Sequence, residues 1–337
     1  MKAVRKLRKG PGNVELVEVP MPKIGDDDVL MKVWAAGVCG SDINIQADTH
    51  FYTAPVTIGH EYSGIVVEAG KNVKKVKVGD KIVSDIEAPG GWLGVDLDGS
   101  YANYMRIPEC VIHVCPSDMP LDAAALVEPC VGGMLHCLQE RNTINAGDFV
   151  VVVGPGPMGI LAVQFAKIRG ARAVALVGRR SDTKRLEIGK QVGADYIFHS
   201  EDNPVEEIME LSQGGAEFVA DCAGTQEGTQ LCIDVARPAK EGRGGRGRIA
   251  MIAMWGKPIT LNFDKVAMGQ LDLSGGWSWN GPETWDKAIE FLYRGCIDYK
   301  AMITSRYALE DWEKAFENLR AGIDVKALIY PNGTDWA

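Results

Sequence analysis

No two of the eight cysteines in this sequence have C-x-x-C spacing, and none falls between Cys39 and Cys110. Thiols scattered this way through 337 residues do not form a disulfide framework. They fit a reducing compartment. The first residues, Met1-Lys2-Ala3-Val4-Arg5-Lys6-Leu7, are too polar for a secretory signal, so the expected location is cytoplasmic. No run of about eighteen apolar residues is present, which excludes a membrane-spanning helix of the usual kind. Positive charge is in short supply. A net charge of −9 argues against nucleic acid or an anionic membrane as partner. Internal repeats are absent. What remains is a chain long enough for two ordinary domains.

The first hundred residues read as β-rich. Val14–Val19, Val29–Val33 and Gly64–Gly70 are short alternating or glycine-bounded runs, punctuated by Pro20, Pro22 and Gly25. Val76–Val83 reads as strand, turn, strand, and Asp42–Tyr52 is a polar connection with room for a short helix. This texture predicts a small barrel-like β domain. Leu121–Glu140 has helical spacing, with Pro129 predicting a break near Glu128. From Asp148 the pattern alternates. Phe149–Val153, Ala173–Val177, Tyr196–Phe198, Glu217–Asp221, Arg248–Ile252 and Leu271–Ser274 read as strands, mostly with helices between. One of those helices, Ser181–Gln191, opens on a Ser/Asp cap. Such alternation predicts a doubly wound sheet. Lys240–Arg248 reads as a basic surface loop, Pro282–Gly295 and Leu309–Gly322 as amphipathic helices, Val325–Tyr330 as a closing strand and Pro331–Ala337 as a frayed tail.

Gly154-Pro155-Gly156-Pro157-Met158-Gly159 follows the apolar run Phe149–Val153 and opens a helix, the context a dinucleotide fingerprint requires. Gly154 permits the tight turn, Gly156 lets backbone approach a pyrophosphate, and Gly159 lets helix and strand pack closely. Pro157 suits a first helical turn, where its missing N–H costs nothing. At the end of the second strand an acidic residue would hold ribose hydroxyls and favour NAD. That position is Gly178, followed by Arg179 and Arg180, so the expected cofactor is NADP. Asp182 is the nearby carboxylate that would favour NAD instead.

Two further glycine-bounded segments carry metal-ligand chemistry: Gly37-Val38-Cys39-Gly40-Ser41-Asp42 and Gly59-His60-Glu61-Tyr62-Ser63-Gly64. Singly, Cys39, His60 and Glu61 are a buried thiol, a hydrogen-bonded imidazole and a surface carboxylate. Together, thiolate, imidazole and carboxylate are a donor set for Zn²⁺, with one position left open for chemistry. Glu128 is a fourth candidate ligand and Cys130 its alternative. His50, His113, His136 and His199 sit in no comparable cluster, and His136 reads as core.

In this order, and with Ala125-Leu126-Val127-Glu128-Pro129 between them, these motifs resemble the zinc-containing medium-chain dehydrogenase/reductases of the sorbitol, threonine and related polyol dehydrogenase group. The resemblance covers nearly the whole chain. It implies an α/β protein: a GroES-like β-barrel catalytic domain (residues 1–138 and 287–337) and a Rossmann domain with a doubly wound parallel sheet (139–286). It implies one catalytic zinc held by residues matching Cys39, His60 and Glu61, with Glu128 binding directly or through water. The implied activity is interconversion of a secondary alcohol, of polyol or sugar-alcohol type, and its ketone by hydride transfer. Ser41 would relay the alcohol proton, and Asp42 would orient His60. Glu61 is a candidate catalytic residue as well as a ligand. The family's cysteine lobe, which holds a second, structural zinc, is missing between Ile86 and Gly99, so no structural zinc is expected. A homo-oligomer, dimer or tetramer, is implied, with Leu271–Ser274 as an edge strand able to pair between subunits. Two other readings compete: a zinc-independent quinone or enone reductase on the same scaffold, and a non-catalytic nucleotide-binding protein. Trp92, Leu93 and Gly275–Asn280 are pocket candidates, although aromatics and glycines at strand ends more often serve packing.

Overall fold

The structure, a computed structural model, describes residues 1–134, 137, 143–239, 246–276 and 281–336. His136, the 240–245 part of the basic loop and the 277–280 segment lie outside the described residues. The chain forms two compact units, Met1–Pro129 with Gly281–Ala337, and Cys130–Asn280.

The first unit opens with β1 (Lys2–Lys6), β2 (Val14–Glu18), β3 (Asp28–Gly37), α1 (Gly40–Ala47), β4 (Val56–Thr57), β5 (Glu61–Ala69) and β6 (Lys81–Ser84). A small hairpin of β7 (Glu87–Ala88) and β8 (Gly91–Trp92) follows, then β9 (Tyr104–Pro108), β10 (Ile112–Val114) and α2 (Leu121–Ala124). After α3 (Val127–Met134) come β11 (Phe149–Val153), α4 (Pro157–Ile168), β12 (Ala173–Gly178), α5 (Thr183–Gln191), β13 (Tyr196–His199) and α6 (Val205–Leu211). The second unit continues through β14 (Phe218–Asp221), α7 (Gln226–Val235), β15 (Arg248–Met251), α8 (Phe263–Gly269) and β16 (Asp272–Gly275). The chain then returns to the first unit as α9 (Gly281–Tyr293), α10 (Tyr299–Met302), β17 (Ile303–Ala308), α11 (Trp312–Arg320) and β18 (Lys326–Tyr330).

In the first unit a seven-stranded sheet runs β10-β6-β5-β3-β18-β17, with β9 also on β3, and β1 lies between β2 and β4 in a smaller sheet. The register positions the site. Gly37 at the end of β3 pairs with Glu61 at the start of β5 on one side and Leu328 of β18 on the other. Cys39, Glu61 and Lys326 therefore gather at one end of three neighbouring strands. Beneath them Val38, Ile45, Ile58, Trp312, Phe316 and Ile329 share a buried apolar cluster, and burial on this scale is the dominant stabilising term.

The second unit's sheet is wholly parallel, in the order β13-β12-β11-β14-β15-β16. β11 is buried at all five positions, as a strand covered on both faces must be. The strand order reverses between β12 and β14, at β11, and the loop after β11 leaves from that point. β16 is an edge strand, as the sequence predicts.

Four local expectations change. Val76–Val78 is not a strand: it leads into a turn in which Lys77 and Asp80 bond each other and Gly79 takes φ +95°. The break before Pro129 falls at Ala125–Leu126, because Pro129 fits as the third residue of α3, within the first turn where its missing N–H has no partner to lose. The helix expected from Ser181 begins at Thr183, and the Asp182 carboxylate binds Arg179 rather than capping that helix. The C-terminal tail is anchored: Asn332 donates to the carbonyls of Val33 and Asn103 (2.9 and 2.8 Å), and Trp336 packs 5.6 Å from Trp34. Where a cysteine lobe would be inserted, the chain closes compactly, with Leu93 N bonding Ile86 O and Gly94 N bonding Leu97 O.

Candidate functional site

In the first unit, Cys39 sits immediately before α1 and His60 immediately before β5, whose first residue is Glu61. One ligand atom from each of Cys39, His60 and Glu61 lies within 4.8 Å of the others. Gly37 is required here by close approach. A Cβ on it would sit 2.3 Å from Glu61 Oε2, so the missing side chain is what lets the carboxylate lie over β3. Asp42, in the first turn of α1, is fully buried. Its Oδ2 accepts hydrogen bonds from Cys39 N (2.9 Å) and the Tyr101 hydroxyl (2.7 Å). Its Oδ1 stands 3.6 Å from His60 Nδ1. Both of those atoms are buried without a hydrogen-bond partner among the described residues. Ser41 Oγ lies 3.2 Å from His60 Nε2.

The surroundings carry dense charge in little water. Burial pulls the His60 imidazole down, but Asp42, Cys39 and Glu128 raise it well above its ordinary value. Glu128, in the first turn of α3, stands outside the close set of three yet within its field. Burial and the nearby Glu61 push its carboxyl up to about 7, against the pull of His60 and Lys326. Asp42 is raised by burial, which His60 opposes.

Lys326 is the residue the sequence did not single out. It begins β18 and donates to Glu61 Oε2 (2.5 Å) and Val38 O (3.2 Å), with only 1% of its side chain exposed against 2% for Glu61. The signal available was a lysine inside the otherwise apolar run Val325–Tyr330.

In the second unit, a cleft of about 860 Å³ is lined by residues of the glycine turn and by Gly178, Arg179, Asp182 and Arg185. Gly154 adopts φ +102°, and a Cβ on Gly159 would lie 1.9 Å from Gly154 O, so neither position admits a side chain. Gly156, by contrast, has open space where a Cβ would be. α4 opens with Pro157-Met158-Gly159 directly after its N-cap Gly156, and the first backbone N–H groups of a helix have no partner within it. A Cβ on Gly178 would meet Pro155 and Leu186 within 3 Å. Both arginines are held by carboxylates. Arg179 donates to both oxygens of Asp182 (3.1 and 3.0 Å) and Arg180 pairs with Asp202. Their side chains remain 62% and 60% exposed. Asp182 was not the sole carboxylate at this place: Glu201 and Asp202 arrive from the turn after β13, which spacing along the sequence cannot show.

Two family profiles match the chain: an alcohol dehydrogenase GroES-like domain over residues 25–117 and a zinc-binding dehydrogenase over 157–294. A sorbitol dehydrogenase of Halalkalibacterium halodurans is 33% identical over 98% of this chain and 99% of its own length. A D-arabitol-phosphate dehydrogenase of Enterococcus avium is 30% identical over 98% of each. Among solved structures, a zinc-binding dehydrogenase of Sinorhizobium meliloti 1021, determined with NADP bound, superimposes with TM-score 0.87 at 27% identity, over 98% of this chain and 99% of the other.

Proposed function

The chain belongs to the zinc-binding alcohol dehydrogenases of the medium-chain dehydrogenase/reductase family, among its polyol dehydrogenase-like members, and from that premise we propose a zinc-dependent, NADP-preferring oxidoreductase that interconverts a secondary alcohol, of polyol or sugar-alcohol type, with its ketone. The observation that carries this reading is the convergence of a half-buried Cys39 with the buried His60 and Glu61.

The residues fit a zinc ion. A thiolate, an imidazole and a carboxylate are its preferred donors, and three protein ligands leave a position for substrate. The unpaired pair behind them fits as well. A proton on His60 Nδ1 faces Asp42 Oδ1 and leaves Nε2 bare as a donor atom, which is how carboxylates orient metal-binding histidines. When bound, the zinc supplies Lewis acidity at the substrate oxygen and the dinucleotide supplies the hydride acceptor.

The chain's own groups do the rest. Ser41, half-buried beside His60 Nε2, takes the alcohol proton and passes it toward solvent. Lys326 neutralises Glu61 and fixes its position. Glu128 contributes a second carboxylate to the same field, directly or through a water. Gly156 and the first turn of α4 receive the pyrophosphate. Arg179 and Arg180, beside a Gly178 with no carboxylate to repel an anion, receive the 2′-phosphate; the NADP in the Sinorhizobium meliloti structure supports this choice. The edge strand β16 suits pairing with a second copy in a homo-oligomer.

The test is a panel of polyols and ketoses assayed with NADP and NAD, with zinc measured on the same sample. The expected result is NADP-dependent oxidation by zinc-loaded protein. An order-of-magnitude preference for NAD would overturn the arginine argument, and double-bond reduction without zinc would overturn the rest.

A further inference from the structure

Beyond β12 and β13 the chain makes two turns side by side. The parallel register pairs Gly178 with His199, so residues 179–182 and 200–203 leave the sheet as neighbours. The second turn is a short helical bend, Ser200–Asp202, ended by Asn203 in the left-handed region at φ +48°. It folds its acids back onto the first turn. Both carboxylate oxygens of Glu201 accept from Arg180 N (3.1 and 3.2 Å), and Asp202 pairs with the Arg180 guanidinium. Ser200, Asn203 and Arg185 line the same cleft as Gly178, Arg179 and Asp182. Arg179 and Arg180 thus stand among three carboxylates, of Asp182, Glu201 and Asp202, and Arg180, Glu201 and Asp202 are the chain neighbours of the cleft-lining Arg179, Ser200 and Asn203.

We propose that Asp202 is a specificity-determining residue: it competes with the cofactor's 2′-phosphate for Arg180, while Glu201 anchors the Arg180 peptide so that the guanidinium can exchange one anion for the other. This rests on the reading that Arg179 and Arg180 receive that phosphate. The two arginines differ in what such an exchange requires. Asp182 is 4% exposed and grips Arg179 with both oxygens and through its backbone N–H as well, which makes Arg179 a fixed element. The Asp202 side chain is 53% exposed and its carboxylate makes a single contact to Arg180. An ion pair this open is easily parted. A phosphate, with more charge and three acceptor oxygens, forms stronger charge-assisted bonds to the same guanidinium. A phosphorylated cofactor therefore displaces Asp202, and an unphosphorylated one leaves the pair intact. The selectivity of the cleft is set by this exchange, below what two unopposed arginines would give.

The test uses 2′,5′-ADP and 5′-AMP, which differ only in the 2′-phosphate and involve neither zinc nor turnover, titrated calorimetrically into the full-length protein. Asp202→Asn is expected to tighten 2′,5′-ADP by roughly two- to fivefold, the range an exposed ion pair is worth, with 5′-AMP unchanged. Arg180→Ala is expected to weaken 2′,5′-ADP alone. If Arg180→Ala weakens 2′,5′-ADP but Asp202→Asn leaves it unchanged or weaker, the competition is overturned and the phosphate reading stands. If neither Arg179→Ala nor Arg180→Ala distinguishes the two probes, the phosphate reading falls and takes this inference with it. Equal thermal midpoints across the variants exclude misfolding as the cause.

Discussion

The two candidate sites handle charge in opposite ways. At one end of β3, β5 and β18, Asp42, His60, Glu61 and Lys326 are buried, and two of their polar atoms have no hydrogen-bond partner among the described residues. Beyond β12, Arg179 in the cleft and Arg180 next to it in the chain have mostly exposed side chains already paired with carboxylates. Buried, incompletely satisfied charge is costly, and a bound cation relieves it. Surface charge that is already paired costs little, and a ligand there must displace a partner. On the proposed reading, the first site holds a permanent ion and the second exchanges a passing one.

The sharpest way to break this contrast is to remove Lys326. Lys326→Met leaves the Glu61 carboxylate buried without its partner, and in metal-free protein this costs about 3–5 kcal/mol. Urea unfolding measures it. The double variant with Glu61→Gln should recover most of the loss, and an equal loss in both would mean that the lysine matters for packing alone. Next in size is Asp42→Asn. Its effect belongs in metal affinity, a drop of about 10- to 100-fold by competition with a chelator. An unchanged zinc affinity would show that Asp42 merely caps α1 and holds Tyr101.

On the cleft side, two glycines should separate binding from stability. Gly156→Ala fills open space, so it should fold with near-native stability and lose cofactor affinity by roughly tenfold, about 1.4 kcal/mol. Gly159→Ala forces a methyl against Gly154 O and should cost about 1–3 kcal/mol of stability. Thermal melts and cofactor titrations on both variants check the split, and identical behaviour would remove the distinction between them.

The smallest expected effect concerns His113, a histidine outside both sites. It stacks on Trp285 (5.3 Å between centroids) with Nδ1 3.3 Å from the exposed carboxylate of Asp286. Burial lowers its pKa in spite of that carboxylate. The unfolded chain then takes up a proton more readily than the folded one. The stability this histidine contributes is complete above about pH 6.5 and declines as pH falls below it. Urea midpoints between pH 7 and 5 should fall slightly more for the native protein than for His113→Phe. The reverse order would contradict the sign.

Legibility followed the range of the interactions. The glycine turn, its strand and its helix are local, and their chemistry reads directly from Phe149–Gly159. The β-rich first unit and the parallel second sheet follow from alternation and apolar runs. Cys39, His60 and Glu61 were legible because each sits in a marked motif, although nothing in the spacing shows that they meet. Lys326 was missed because its role depends on β18 lying against β3, a pairing across almost three hundred residues. Glu201 and Asp202 were missed because only the register of β12 with β13 brings them to Arg180. The tail was misread because polarity hid the bonds Asn332 makes to β3 and to Asn103.

The most direct test of the central claim is a zinc titration into chelator-treated protein, followed by alcohol-dependent NADP reduction, with Cys39→Ser alongside. Activity should rise linearly to a single equivalent of zinc per chain and then stop, and the variant should neither bind that equivalent nor turn over. Full turnover in protein verified as zinc-free, or an unchanged titration in Cys39→Ser, would contradict the assignment of Cys39, His60 and Glu61 as the catalytic metal site.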